Sequence, residues 1–149
     1  MTTSHTRFSS WGILAASALA TAATTLGPAV PAHADPRVFT AKVTVDNQTS
    51  EKFDVVWQEA TDGEFVTYAN DELPAHSSDW LRTTANVDQG GTSGGIKYKT
   101  ENGGNVVIYW NNPYEEDNVY SCHVPDGMEC SWDDNGLYET EVTFTITPE

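Results

Sequence analysis

After residue 38 the apolar side chains recur every second position. Phe39, Ala41, Val43 and Val45 alternate with Thr40, Lys42 and Thr44, and near the C-terminus Val142, Phe144 and Ile146 alternate with Thr143, Thr145 and Thr147. A two-residue period sends successive side chains to opposite faces of a strand, so each run has one face to bury and one to leave in water. The 3.6-residue period of an amphipathic helix is absent after residue 35. Further strands read over residues 53–58, 64–68, 78–84, 96–100, 105–110 and 118–124, with Trp80 as the anchor of the third of these. Turn chemistry separates them: Asp62-Gly63 as a hairpin, Pro74 within a loop over 70–76, a flexible region around Gly90-Gly91 and Gly94-Gly95, and Asn102-Gly103-Gly104 as the clearest hairpin. Asn111-Asn112-Pro113 should break the strand it follows, and Asp126-Gly127 and Asp134-Asn135-Gly136 mark further turns. Short strands punctuated in this way predict an all-β, single-domain β-sandwich.

The first 34 residues read differently. Arg7 is a basic n-region, residues 11–26 are an Ala-rich apolar run, and Ala32-His33-Ala34 has the small-x-small form of a cleavage site. The run is too short and too rich in Ala and Thr to favour the alternative, a membrane anchor. Residues 1–34 are thus expected to be a secretory signal peptide and residues 35–149 the mature, extracellular β-sandwich domain. The whole chain holds 7 Lys and Arg against 22 Asp and Glu, a net charge of −15. Such a balance argues against nucleic acid as a partner, since no basic stripe is available to neutralise phosphates, and against electrostatic docking on anionic lipid. Four Trp, six Tyr and four Phe remain beyond residue 34, which is far from the composition of a disordered chain.

Cys122 and Cys130 are the only cysteines, and in an exported protein they are expected to form a disulfide. No residue set points to catalysis. His76-Ser77-Ser78-Asp79 holds the residue types of a hydrolase triad, but a triad converges from separate elements, and a polar loop is the simpler reading. His76 and His123 have no zinc-ligand spacing around them, so no metal site is expected there. Glu115-Glu116-Asp117 and Asp133-Asp134-Asn135 offer oxygens to calcium, though neither fits an EF-hand loop, and solvated loop acid accounts for both. Asn47-Gln48-Thr49 is formally a glycosylation sequon and reads more economically as a polar turn.

The informative stretch is Tyr109-Trp110-Asn111-Asn112-Pro113-Tyr114, followed by Asn118 and Tyr120. It gathers four large aromatics around a strand end and a proline loop. Tyr and Trp pair an apolar body with a polar edge, and aromatic rings form cages for quaternary ammonium groups. Alternation puts Tyr109 and Trp110 on opposite faces, so at least one should be buried.

With Val43-Thr44-Val45-Asp46-Asn47-Gln48-Thr49 and Gly91-Thr92-Ser93-Gly94-Gly95-Ile96-Lys97-Tyr98, this stretch resembles the aegerolysin and actinoporin group of lipid-binding β-sandwich cytolysins over roughly residues 40–125. The resemblance implies a secreted, non-enzymatic protein that binds a membrane lipid headgroup, with Trp110, Asn111, Pro113, Tyr114 and Tyr120 as the lipid-binding residues. Actinoporins carry a pore-forming N-terminal helix, for which residues 35–41 leave no room. Aegerolysins lack it, are acidic, and act with a separate pore-forming protein, so a cytolysin component of that kind is the closer expectation. Glu115-Glu116-Asp117 would repel a lipid phosphate and attract a choline or ethanolamine cation, which favours a zwitterionic headgroup. Two alternatives stay open: a secreted binding module or inhibitor for a protein or glycan partner, and a hydrolase using His76 or His123.

Overall fold

A computed structural model describes residues 38–136 and 138–149. The expected signal peptide lies outside the described residues. The described chain forms ten strands: β1 (Val38–Asn47), β2 (Phe53–Asp62), β3 (Glu64–Thr67), β4 (Glu72–Leu73), β5 (Ser77–Asn86), β6 (Gly91–Thr100), β7 (Asn105–Pro113), β8 (Val119–His123), β9 (Met128–Asp134) and β10 (Glu139–Pro148). One 3-10 turn, Val87–Gln89, is the only helical element among the described residues.

The strands make two five-stranded sheets, ordered β3-β5-β1-β10-β9 and β4-β2-β6-β7-β8. Every ladder is antiparallel except β1 with β10, which run parallel at the centre of the first sheet. The alternating residues fill the space between the sheets. Ala41, Val43 and Val45 of β1 and Val142, Phe144 and Ile146 of β10 meet Ile96 and Tyr98 of β6 and Val106, Ile108 and Trp110 of β7 in one core. The all-β sandwich read from the sequence is therefore the fold.

The Cys122–Cys130 disulfide forms, with an S–S distance of 2.00 Å. It ties β8 of the second sheet to β9 of the first. Closing so short a loop stabilises the fold by about 2.5 kcal/mol in the chain-entropy account.

Several expectations are corrected. Asp62-Gly63 does not close a hairpin: β2 belongs to the second sheet and β3 to the first, so this turn carries the chain between sheets. Gly63 sits at φ 83°, pressed against the Thr84 carbonyl, where a side chain would not fit. Gly94 and Gly95 are not turn residues but lie inside β6. Their register partners on β7 are Trp110 and Tyr109, whose rings lie in the space that glycine leaves empty. Asn111-Asn112-Pro113 does not break β7, which pairs with β6 as far as Gly91 opposite Pro113. The loop over 70–76 contains the short strand β4, and Trp80 is exposed on the outer face rather than an anchor.

Asn47 is fully buried. Its Nδ2 donates to the carbonyls of Glu51 (2.8 Å) and Pro74 (3.0 Å), while its Oδ1 accepts from the Thr49 amide and hydroxyl. That side chain closes the turn after β1, in keeping with the polar-turn reading of the sequon.

Candidate functional site

Two loops meet beside the core. One leaves β7 and runs through residues 113–118; the other joins β9 to β10 and includes residues 134–136 and Tyr138. Between them lies a cavity of about 730 Å³. Pro113, Tyr114 and Tyr138 give it apolar and aromatic walls, and Glu115, Glu116, Asp117 and Asp134 bring four carboxylates. No Lys or Arg is among its described lining residues.

The walls are held from beneath. Phe39 of β1, fully buried, packs edge-to-face with both tyrosines: its ring centroid is 5.6 Å from that of Tyr114 at 84° and 5.2 Å from that of Tyr138 at 89°. Edge-to-face packing of this kind is favourable and directional, so one buried ring orients two wall rings. The Tyr114 amide donates to the Gly90 carbonyl at 3.0 Å. Asn112, also buried, donates its Nδ2 to the carbonyls of Thr40 and Tyr138, both at 3.0 Å. One carboxamide thus fastens the end of β7 to β1 and to the second loop. Across the cavity Asn135 accepts the Glu141 amide at 2.8 Å through its side-chain oxygen, which fixes the turn that presents Asp134.

Tyr120 supports the site rather than lining it. It is half-buried, its hydroxyl shares a hydrogen bond with the Thr140 hydroxyl at 2.9 Å, and its ring meets Phe144 edge-on at 6.1 Å. Burial raises its phenol pKa, opposed by the Thr140 hydrogen bond, with the Asp134 charge raising it further and an Asn118 hydrogen bond lowering it. Tyr120 therefore sits close to two residues of the cavity wall, Asn118 and Asp134.

Of the five residues expected to bind lipid, Pro113 and Tyr114 line the cavity and Tyr120 lies next to its wall. Trp110 and Asn111 do not belong to it. Trp110 is 2 % exposed, and its Nε1 donates to the Thr83 hydroxyl at 3.2 Å inside the core. Asn111 points to the outer face, exposed, between Ser93 and Val119 on the neighbouring strands. Strand alternation explains both: Val106, Ile108, Trp110 and Asn112 face inward, so Tyr109 and Asn111 face out. Asn112, Asn118, Asp134 and Tyr138 were not in the expected set. The inward parity set by Val106 and Ile108 is the signal that singles out Asn112. Tyr138 carries no comparable local signal.

His76 and His123 are both exposed, His76 in a left-handed conformation at φ 52°. Among the described residues neither hydrogen-bonds a serine or a carboxylate. The arrangement of aromatic walls and uncompensated carboxylates is suited to holding a cation with apolar substituents.

Two five-stranded sheets with a cavity between two loops at their side define a β-sandwich with a candidate binding site. No protein-family model matches the chain, and no curated protein matches it by sequence. Among solved structures it is similar to the lipid binding protein Nakanori, at a TM-score of 0.64 and 14% identity over 73% of this chain and 71% of that one. It is also similar to the RahU protein, solved in complex with a Tris molecule, at a TM-score of 0.60 and 16% identity over 74% and 96% of the two chains. IP-1A from Alcaligenes faecalis follows at 0.57 and 14%, over 76% and 94%. All three are aegerolysin-family proteins, and at these identities the likeness is one of fold. The resemblance read from the motifs is thereby met by the architecture.

Proposed function

We propose that this chain is a non-enzymatic lipid-binding protein whose cavity takes the ammonium end of a zwitterionic headgroup, choline or ethanolamine. One observation carries the reading: Tyr114 and Tyr138, oriented by Phe39, stand beside four carboxylates with no Lys or Arg among them. An ammonium over an aromatic face gains roughly 0.5–2 kcal/mol per ring, and nearby carboxylates add to it. The same carboxylates repel a phosphate, and the net charge of −15 disfavours anionic membranes. The fold shared with Nakanori, a lipid binding protein by name, supports a lipid ligand.

Within this proposal the protein is exported by its N-terminal segment and works as a cytolysin component with a separate pore-forming protein. Co-sedimentation with vesicles tests it. The protein should pellet with phosphatidylcholine or phosphatidylethanolamine vesicles and stay in solution with phosphatidylglycerol. Equal binding to all three, or retention on immobilised glycan or protein with no vesicle binding, overturns the proposal and favours the general binding-module reading.

A further inference from the structure

The cations of this acidic chain are not evenly spread. Lys42 on β1 and Arg82 on β5 stand directly opposite each other across an antiparallel ladder. Like charges in that relation repel. Both lie against the same exposed indole: Lys42 Nζ and Arg82 Cζ are each 5.9 Å from the centroid of Trp80. Among the described residues Lys42 has one long ion pair, with Glu141 of β10 at 3.7 Å. Arg82 has no carboxylate partner among the described residues, and its buried Nε has no acceptor. Lys42 and Arg82, with Thr40, Asn135 and Glu139, line a second concavity of about 270 Å³ on the outer side of the first sheet. The Asn135 side-chain oxygen is taken by the Glu141 amide, which leaves its NH₂ as a further donor.

We infer that this concavity is an oxyanion site for a phosphate group, free or esterified in a lipid headgroup. The guanidinium supplies a charge-assisted donor pair, Lys42 a second positive charge, and Thr40 and Asn135 neutral donors. Glu139 and Glu141 on the same wall limit the site to a compact ion of low charge and exclude a polyanion. An anion there offsets the Lys42–Arg82 repulsion that the fold otherwise carries. The site goes beyond the cation cavity and shares only Asn135 with it, so either can fail alone.

The test is a titration of the mature protein with inorganic phosphate at constant ionic strength, followed by amide chemical shifts. Saturable shifts should appear at Thr40, Lys42, Arg82 and Asn135. Arg82→Gln should weaken binding by about tenfold or more, whereas Lys97→Gln, which removes the same charge from the outer face of the other sheet, should leave it unchanged. Lys42→Gln serves as the second variant if Arg82→Gln does not fold. Absence of saturable shifts, or equal weakening by Lys97→Gln, overturns the assignment. Competition between inorganic phosphate and phosphatidylcholine vesicles supports the site with the phosphate carried by lipid; saturable phosphate binding without competition supports it with free phosphate.

Discussion

The indole of Trp110 occupies the volume that a side chain on Gly94 would need. The two residues are register partners on β7 and β6, and a Cβ on Gly94 would come within 2.6 Å of Trp110 Cζ2 while striking the Glu59 carbonyl on its other side. Gly94→Ala is therefore expected to destabilise the protein by about 2–3 kcal/mol, because the backbone of β2 cannot withdraw. Gly95 differs. Its Cβ would meet only Tyr109 Cδ1 at 2.7 Å and Trp57 Cη2 at 2.8 Å, two rings on the outer face that can swing aside. Gly95→Ala should cost less than about 1 kcal/mol. Urea unfolding midpoints of the two variants check the order.

Asn112 links stability to the site. Removing its Nδ2 leaves the Thr40 and Tyr138 carbonyls without that donor. Asn112→Ala should cost about 2–3 kcal/mol. Asn112→Asp should cost more, since it turns an oxygen toward two carbonyl oxygens. Both variants should bind phosphatidylcholine vesicles more weakly than their stability alone accounts for, because, among the described residues, the Tyr138 carbonyl loses one of its two donors and keeps only the Thr40 amide. Vesicle binding measured well below each variant's unfolding temperature separates the two effects.

Tyr98 has the opposite character. Its hydroxyl is buried without a hydrogen-bond partner among the described residues, and burial, with the Asp79 charge as the lesser cause, raises its pKa well above that of an ordinary phenol. The folded state then holds its proton where the unfolded state releases it, so stability falls as pH rises past about 10. Tyr98→Phe removes both penalties. It should equal or exceed the wild type in stability by up to about 1 kcal/mol at neutral pH. Its advantage should grow above pH ~10, which paired unfolding curves at neutral and alkaline pH detect.

What the sequence made legible was local. Phe39 to Val45, Val142 to Ile146 and the turn at Asn102-Gly103-Gly104 each carry their instruction in a few adjacent residues, and the strands formed accordingly. Gly94-Gly95 carries turn chemistry, yet in β6 these glycines make room for rings on the next strand. Asp62-Gly63 has hairpin chemistry, but pairing partners, not turn residues, decide which sheet a strand joins. The proline loop with Tyr114 was found by composition. Its opposite wall is not found in that way, because Tyr138 comes to the same cavity as Tyr114 through the course of β8, β9 and β10, and both pack on Phe39. The family resemblance implies a lipid-binding role for Trp110, while the parity of Val106 and Ile108 turns its indole into the core.

The most direct test compares two tyrosines five residues apart. Tyr114 lines the cavity, while Tyr109 is exposed on the outer face of β7 and packs against Trp57 at 6.0 Å. The measurement is the apparent Kd for phosphatidylcholine vesicles of Tyr114→Ala and Tyr109→Ala, both confirmed folded. Weakening by about tenfold or more for Tyr114→Ala, with Tyr109→Ala within about twofold of wild type, is the predicted result. Loss of binding in Tyr109→Ala with Tyr114→Ala unaffected would contradict the account and move the lipid contact to the outer sheet face.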